Sequence, residues 1–214
     1  MPPVILFGTG SPVIVDIEES CARRDWRVLA WIKNVDGPDY PADPCTITRA
    51  TAATRLSDPV VLPMFNPAHR ASALSHARAL GAQEFPTLVD PTSVLPRSVA
   101  IGAGSYINAG CTLGAVARIG RFVFINRGAV LGHHLVLGDF VSIGPGAILA
   151  GQVTVGRAAL IGAGAVIGPA TIIGEGAVVA PGAVVRRDVP AGAKVAGNPA
   201  RIVGPAGEAA ALPS

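Results

Sequence analysis

The chain has 214 residues, of which 50% are hydrophobic and only 14% are charged, and its formal net charge is +3. This length allows one or two domains, and so small a net charge does not favour nucleic acid as a partner. No apolar run reaches the roughly 18 residues of a membrane span, and no basic segment precedes an apolar one at the start, so we expect neither membrane insertion nor a signal peptide.

Residues 1–86 predict a small α/β unit. Three short apolar runs predict its strands: Val4–Phe7, Val28–Ile32 and Val60–Phe65. Two helices are predicted between and after them, from about Val13 to Arg24 and from Pro67 to about Leu80, with Gly81 as the stop of the second. A strand, a Gly-rich turn, a helix and a further strand indicate a Rossmann-like unit with an anion at the first helix N-terminus.

The turn after the first strand carries the sequence Gly8-Thr9-Gly10-Ser11-Pro12. It is not a full GxGxxG, and no acidic residue is clearly placed to bind the ribose of a dinucleotide. Two interpretations of Gly8 and Gly10 therefore stay open: contact with a bound ligand, and a tight structural turn.

From Val89 to Val185 an aliphatic residue occupies every sixth position without exception. All seventeen are Ile, Leu or Val, the next position is Gly or Asn in twelve of them, and the fifth position is always small or apolar. Six residues make one short strand and one corner, so three such faces close a coil of eighteen residues in which positions eighteen apart stack. We expect the aliphatic side chains to point inward and the Gly or Asn to take the positive φ of a tight corner. The period predicts a hexapeptide-repeat parallel β-helix of about six coils over residues 87–203.

The remaining segment, 204–214, is rich in Ala, Gly and Pro and carries one charge, Glu208. It has little apolar surface to bury, so we expect a flexible tail.

Three cysteines, Cys21, Cys45 and Cys111, are odd in number and have no metal-ligand spacing. This pattern indicates reduced thiols in a cytoplasmic protein, and no metal is expected. Cys111 holds an inward fifth position of its hexad, which disfavours it as a nucleophile.

The adjacent His133 and His134 are the general-base candidates of the repeat region. They occupy the third and fourth places of their hexad, at or near a corner where a side chain points outward. Gly151 lies eighteen residues after His133, and its N–H is a candidate donor to a developing oxyanion. The alternative is a pair of solvated histidines at a turn. His69 and His76 share one face of a predicted helix and are interpreted as ordinary surface or packing residues.

Several segments together resemble one bacterial acyltransferase family. They are Ile125-Asn126, Gly132-His133-His134, Gly138-Asp139-Phe140-Val141 and Gly197-Asn198-Pro199-Ala200-Arg201. The family is that of the sialic acid O-acyltransferases and of the nucleotide-sugar N-acetyltransferases that act on 4-amino sugars in polysaccharide biosynthesis. The resemblance covers nearly the whole chain.

This resemblance implies a left-handed parallel β-helix and a homotrimer with active sites between subunits. It further implies that His133 is the proton acceptor, that acetyl-CoA lies along the C-terminal coils, and that the N-terminal unit holds the nucleotide-sugar. Cofactor contacts are implied at Ser142, Ala163 and Pro181. The cations Arg186, Arg187, Lys194 and Arg201 would meet the CoA phosphates, or else are solvated charges on the cap of the prism.

The chain departs from the family pattern at several positions. His134 stands where the family has Asp or Glu, and Ser142 stands where it has a histidine that touches the cofactor. Gly10-Ser11-Pro12 stands where the family has a Gly-His dipeptide. The family's acidic pair after the second strand corresponds to a position near Ile32-Lys33, and its Gly after the third strand corresponds to Phe65. The implied substrate contacts are Thr9, Gly10, Ser11, Lys33 and Phe65, and these departures leave two alternatives for the ligand of the small unit: the usual UDP-sugar and a different compound.

The sequence thus favours an acyl-CoA-dependent acyltransferase in which an acceptor amine or hydroxyl attacks the thioester directly. A non-catalytic nucleotide-binding or scaffold protein is the first alternative, because the carboxylate partner of the base is missing. A zinc enzyme like the γ-class carbonic anhydrases is the second, but it needs three well-spaced histidines, and the repeats contain two adjacent ones.

Overall fold

The computed structural model describes residues 1–36, 38–40 and 47–207. The first part forms a parallel four-stranded sheet with two helices, in the strand order β3-β2-β1-β4. Its elements are β1 Pro3–Phe7, α1 Ile14–Arg23, β2 Arg27–Lys33, β3 Ile47–Arg49, β4 Val60–Val61 and α2 Pro67–Ala79.

Two of these strands differ from the sequence prediction. β4 ends at Val61 rather than Phe65, because Pro63 has no N–H to donate and the chain turns there with Met64 N donating to Leu62 O at 3.0 Å. β3 was not predicted. It is a three-residue edge strand with two exposed side chains, so it carries almost no apolar pattern.

The helix α2 begins and ends where the sequence predicts. Asn66 caps its N-terminus by accepting hydrogen bonds from Ala68 N and His69 N at 2.9 and 3.2 Å, and Pro67 occupies the first turn. Gly81 follows the helix with a φ of +100°, a left-handed conformation in which a Cβ is unfavourable.

The rest of the chain is a parallel β-solenoid whose strands form three sheets, in agreement with the six-residue period. Up to Val185 each strand has two residues, and the last two are longer. The strands are β5 Leu88–Val89, β6 Ala100–Ile101, β7 Tyr106–Ile107, β8 Thr112–Leu113, β9 Arg118–Ile119, β10 Phe124–Ile125, β11 Val130–Leu131, β12 Val136–Leu137, β13 Ser142–Ile143, β14 Ile148–Leu149, β15 Thr154–Val155, β16 Leu160–Ile161, β17 Val166–Ile167, β18 Ile172–Ile173, β19 Val178–Val179, β20 Val184–Val185, β21 Ala193–Ala196 and β22 Arg201–Pro205.

We call the three sheets the first, second and third face. The first face has the order β22-β21-β19-β16-β13-β10-β7-β5, the second β20-β17-β14-β11-β8, and the third β18-β15-β12-β9-β6. From β5 to β20, hydrogen-bonded neighbouring strands are eighteen residues apart along the chain, as in the pairs Phe124↔Tyr106 and Val130↔Ile148. The aliphatic residues of all three faces point inward and form one continuous buried core.

The glycines that follow most of the aliphatic residues have a different role from the one predicted. At Gly132 a Cβ would lie 2.5 Å from Gly151 N in the next coil, and the φ of Gly132 is not positive. The positive φ occurs two residues later, for example at Gly128 and at His134. These glycines are therefore required because the coils approach one another closely, and not because of the corner conformation.

The α/β unit packs on the first face and on the corner that joins it to the third face. Phe122 and Phe140, one coil apart, stack with ring centroids 5.3 Å apart, and Phe85 meets Phe122 edge-on. Phe65 and Tyr106 both pack edge-on against Phe124. Because these rings share buried clusters with the strands and helices of the α/β unit, the two parts of the chain have a continuous apolar boundary.

At the C-terminal end, β21 and β22 pair in antiparallel orientation. β22 runs to Pro205 and so includes the first two residues of the predicted tail, and Ala206 N donates to Gly192 O at 2.7 Å. The rest of that predicted tail, 208–214, lies outside the described residues. No helix in the described ranges has the length and apolar character needed to cross a membrane.

Candidate active site

His133 and His134 lie at the corner between the second and third faces, which we call the second corner. Both side chains are exposed. Their Nδ1 atoms are 3.0 Å apart, and the ring planes are nearly perpendicular, at 87°. His134 has a φ of +55°, and its N–H donates to Ala115 O in the preceding coil. The backbone of the stacked coils thus places the two imidazoles in contact.

Gly151 lies directly beneath the imidazole of His133. A Cβ at Gly151 would be only 2.6 Å from His133 Nε2 and 2.7 Å from Cε1. The neighbouring Gln152 N donates to His133 O at 2.8 Å, which fixes the register of the two coils. Gly151 N–H donates to no acceptor among the described residues. The absence of a side chain at Gly151 therefore makes space for the imidazole, and the Gly151 N–H lies beside the ring without an acceptor among the described residues.

Ala163 and Pro181 lie on a different edge, the corner between the first and second faces, which we call the first corner. They are stacked in consecutive coils, and the contact is so close that a Cβ on Gly162 would lie 2.4 Å from Pro181 N. Glycines with open space beside them run along the same corner: Gly110, Gly128, Gly146, Gly164 and Gly182. The first corner thus has a smooth outer surface over five coils.

Ser142 is fully buried, in contrast to the expected cofactor contact. Its hydroxyl donates to Phe65 O at 2.5 Å and accepts a hydrogen bond from Arg70 Nη2 at 3.0 Å. Both partners belong to the α/β unit, which covers this part of the first face. Ser142 therefore joins the two parts of the chain and does not face a groove.

The C-terminal cations are divided between two places. Arg186, Arg187 and Arg201 line a cavity of about 600 Å³ at the end of the prism. Lys194 is not among its lining residues; it lies on β21, paired in register with Val178. Three guanidinium groups at one opening are suited to bind phosphates.

The α/β unit contains a cavity of about 470 Å³ at the carboxyl ends of its strands, which we call the pocket. Gly10, Ser11 and Phe65, three of the implied substrate contacts, line it. Thr9 and Lys33 do not: the Thr9 hydroxyl donates to Asp39 at 3.4 Å, and Lys33 forms an ion pair with the same carboxylate at 3.0 Å. These two residues hold the loop at 38–40.

The pocket also contains residues that the sequence analysis missed. Asn34, at the end of β2, and His69, in the first turn of α2, both line it. Ligands bind at the carboxyl ends of parallel strands in such units, and both residues directly follow a strand or its connecting turn. Their position after a strand is the sequence signal that could have identified them as pocket residues. Among the described residues, no Asp or Glu lines the pocket.

Two cysteines of the described ranges are buried free thiols. Burial raises the pKa of Cys21 to about 12, with the Glu18 charge adding to it, and burial also raises the pKa of Cys111. Neither is suited to be a nucleophile. Cys45 lies outside the described residues. Within these residues we find no group of three or more His, Cys, Asp or Glu that could hold a metal ion.

Within one chain, His133 and the pocket lie on different sides of the prism. The α/β unit covers the first face, and Asp16 of α1 reaches the first corner, where it accepts a hydrogen bond from Asn108 Nδ2 at 3.3 Å and pairs with Arg127. In a three-sided coil the second corner is opposite the first face. A single chain therefore does not bring the base, the first corner and the pocket together.

Comparisons with known proteins agree with this architecture. The family model described as bacterial transferase hexapeptide (six repeats) matches residues 152–187. Among curated proteins, none has a sequence that matches this chain.

Solved structures match over nearly the whole length. PerB from Caulobacter crescentus, in complex with CoA and GDP-perosamine, is 30% identical with a TM-score of 0.78, over 95% of this chain and 98% of that one. The acetyltransferase domain of PglB from Neisseria gonorrhoeae, in complex with acetyl coenzyme A, is 26% identical with a TM-score of 0.81, over 94% and 98%. WeeI from Acinetobacter baumannii is 29% identical with a TM-score of 0.74, over 95% and 100%.

Proposed function

The chain belongs to the hexapeptide-repeat family of nucleotide-sugar acetyltransferases, and we propose that it transfers the acetyl group of acetyl-CoA to an amino or hydroxyl group of a nucleotide-linked sugar. The observation that carries the proposal is the exposed imidazole of His133, held over Gly151 at a corner of the prism. The relative PerB binds CoA and GDP-perosamine, and PglB binds acetyl coenzyme A.

His133 Nε2 is the general base of the proposed reaction. It takes a proton from the acceptor nitrogen or oxygen as that atom attacks the thioester carbonyl, and Gly151 N–H stabilises the oxyanion of the tetrahedral intermediate. When the intermediate collapses, the carbon–sulfur bond breaks and the CoA thiolate takes the proton from the imidazolium. The products are the acetylated sugar and free CoA, and no covalent enzyme intermediate is needed.

His134 supports the base without a carboxylate. If His133 Nδ1–H donates to His134 Nδ1, the lone pair of His133 is left on Nε2, over Gly151. An imidazole thus fixes the tautomer as the family's carboxylate would, but it supplies no negative charge to stabilise the imidazolium.

We propose a homotrimer because the second face is apolar and exposed. Its outward column contains Val130 and Ile148, which are 45% and 46% exposed, followed by the half-buried Val166 and Val184. This face lies between the second corner, which carries His133, and the first corner. In a closed ring of three copies, the second face of each prism is turned towards the axis, so that the second corner of one copy meets the first corner of the next. Each active site then takes its base from one copy and its pocket from another.

The first corner and the C-terminal cavity are the proposed acetyl-CoA site. Ala163, Pro181 and the glycines beside them offer a smooth path for the pantetheine arm, and the three arginines of the cavity would bind its phosphates. Lys194 remains a candidate contact on the adjacent strand.

We propose that the α/β unit is Rossmann-like and holds the nucleotide, with Gly10, Ser11 and Phe65 in contact with it. The pocket has the volume of a small-molecule site, and residues of its Gly-rich turn line it together with the polar residues Asn34 and His69. We further propose that the solenoid is left-handed, as the resemblance implied, and that the enzyme works in the cytoplasm on a sugar destined for a polysaccharide. The two buried free thiols fit a reducing compartment.

A screen of purified protein with acetyl-CoA and a panel of amino- and hydroxy-nucleotide sugars, including GDP-perosamine, tests the function. Release of free thiol that depends on the sugar is the expected result. A parallel titration separates the alternatives: micromolar binding of acetyl-CoA is expected of an enzyme, whereas no binding at about 1 mM would leave a nucleotide-binding scaffold as the remaining explanation.

A further inference from the structure

Arg70, the fourth residue of α2, is the largest fully buried side chain of the described residues, with 1% of its surface exposed. No carboxylate accepts a hydrogen bond from it in the part of the chain that the structure describes; every acceptor is a backbone carbonyl or a hydroxyl. Burial of the guanidinium lowers its pKa to about 9. Burying a cation without a counter-ion costs folding free energy, so stability alone does not explain why an arginine occupies this position.

The hydrogen bonds of Arg70 connect the pocket to two consecutive coils of the prism. Nη1 donates to Met64 O and Phe65 O at 2.5 and 3.0 Å. On the other side, Nε donates to Phe122 O at 2.8 Å. The two N–H groups of Nη2 are shared among three acceptors, Phe140 O, Val141 O and Ser142 Oγ, at 2.7, 3.2 and 3.0 Å. We call this set of contacts the Arg70 clasp.

Three carbonyls of the clasp depend on Arg70. No backbone N–H in the described ranges donates to the carbonyls of Met64, Phe122 or Phe140. A planar guanidinium has five N–H donors in a fixed fork, so it can satisfy these acceptors only in one arrangement of the two parts of the chain. A purely apolar contact would hold the same parts together without fixing their angle.

The segment held by the clasp is a wall of the pocket. Met64 and Phe65 line the pocket, and so do Asn66 and His69 on either side of the turn into α2. Met64 also fills the space over Gly8, where a Cβ would lie 1.6 Å from Met64 Cε. A shift of the Met64–Phe65 carbonyls would therefore move both the pocket wall and the cover of the Gly-rich turn.

We infer that Arg70 is a positioning residue for the acceptor: it fixes the pocket wall on the prism and so sets where the nucleotide-linked sugar is presented to the acetyl group. The inference rests on the proposed function for the identity of the acceptor. The acetyl-CoA site at the first corner and the C-terminal cavity shares no residue with the clasp, so binding of acetyl-CoA does not depend on it.

The inference is tested with two variants and two measurements. Arg70→Lys keeps the charge but replaces the planar guanidinium with one ammonium group, and Arg70→Met removes the charge. Arg78→Met on the same helix is the matched control, because Arg78 is exposed and its guanidinium lies over the Phe85 ring, outside the clasp. Titrations with GDP and with UDP should show affinity about tenfold weaker in both Arg70 variants, with acetyl-CoA affinity changed less than about twofold. Ser142→Ala, which removes one acceptor of the clasp, should give a smaller effect in the same direction.

The second readout needs no ligand. The chain has two methionines, Met1 and Met64, so ¹³C-methyl labelling gives two signals, and Met64→Leu assigns them. We expect the Met64 signal to shift in the Arg70 variants and to stay in place in Arg78→Met. An unmoved Met64 signal with unchanged nucleotide affinity overturns the inference, as does an equal loss of nucleotide and acetyl-CoA binding, which would indicate general destabilisation. Failure of the unsubstituted protein to bind either nucleotide contradicts the proposed acceptor class, and the Met64 signal alone then decides on the clasp.

Discussion

The imidazoles of His133 and His134 meet through their Nδ1 atoms at 3.0 Å. When both rings are neutral, one Nδ1 must carry the hydrogen and the other must accept it, so the two residues hold opposite tautomers. Only the arrangement in which His133 donates leaves a lone pair on its Nε2.

The first prediction concerns His133 itself. His133→Ala should lower kcat by about 10²–10⁴-fold, the usual effect of losing a positioned base, with little change in acetyl-CoA affinity. His76→Ala is the control, since His76 packs edge-on against Phe7 in the α/β unit and is far from the second corner in the fold. Unchanged turnover in His133→Ala would leave attack by an already neutral amine, or a base elsewhere, as the explanation.

The second prediction concerns the missing carboxylate. His134→Asp restores a negative charge next to His133 and should move the acid limb of the kcat/KM pH profile to higher pH, because a nearby anion favours the imidazolium. His134→Asn is the matched variant, with the same shape and no charge, and it should leave the limb in place. Both residues tolerate the φ of +55° found at this position. Identical profiles for the two variants would contradict the proposed role of the charge.

The third prediction concerns the contact between Gly151 and His133. Gly151→Ala should reduce kcat by about tenfold or more, because its Cβ would displace an imidazole whose Nε2 is 2.6 Å from that point. The same substitution in a His133→Ala background should cost no further activity. If Gly151→Ala lowers thermal stability equally in both backgrounds, the clash is with the coil backbone and not with the ring, and the interpretation is wrong.

The repeat made most of the solenoid predictable, because a residue that recurs every sixth position in a buried column leaves little freedom in register. It also predicted that His133 lies at a corner above Gly151, since eighteen residues close one coil. It did not predict which glycines take a positive φ. Period alone gives the spacing of corners, but the close approach of Gly132 to the next coil follows only from the three-dimensional stacking.

The site was less predictable than the fold because it depends on which surfaces are covered. Ser142 has the same place in its hexad as the exposed Ile148, and only the docking of the α/β unit on the first face buries it. Likewise His69 and His76 share a helix face, yet His69 lines the pocket and His76 packs on Phe7. A sequence pattern identifies the helix but not the neighbours of each of its turns.

The fourth prediction concerns assembly. Ile148→Glu on the second face should shift the protein from trimer to monomer in light scattering at micromolar concentration, because burying an unpaired carboxylate in an apolar interface is costly. Ile172→Glu on the third face is the control: Ile172 is 53% exposed and lies outside the proposed interface. Loss of activity should accompany loss of the trimer. A monomeric protein without either substitution would contradict the assembly and the composite active site together.

The last prediction uses the buried carboxylate that joins α1 to the first coil. Asp90 accepts hydrogen bonds from Ser20 Oγ at 2.7 Å, Arg23 Nη1 at 2.8 Å and Thr92 Oγ1 at 2.6 Å. Desolvation of the buried carboxyl opposes its ionisation, but the hydrogen bonds from these partners and from Thr92 N outweigh it and lower the pKa of Asp90 to about 2 from 3.8. A depressed folded-state pKa stabilises the fold fully above the unfolded value, and the contribution is lost as the pH falls from about 4 towards 2.

Asp90→Asn should therefore lower the free energy of unfolding by about 2 kcal/mol at pH 7, and the difference should shrink as the pH falls from about 4 towards 2. Asp25→Asn is the control, because Asp25 is exposed and its φ of +54° suits asparagine as well as aspartate. The measurement is denaturant unfolding between pH 7 and pH 3 at one fixed protein concentration, since an oligomer's stability depends on concentration. A stability gap that stays constant down to pH 3 would show that Asp90 acts through packing and not through its ionised form.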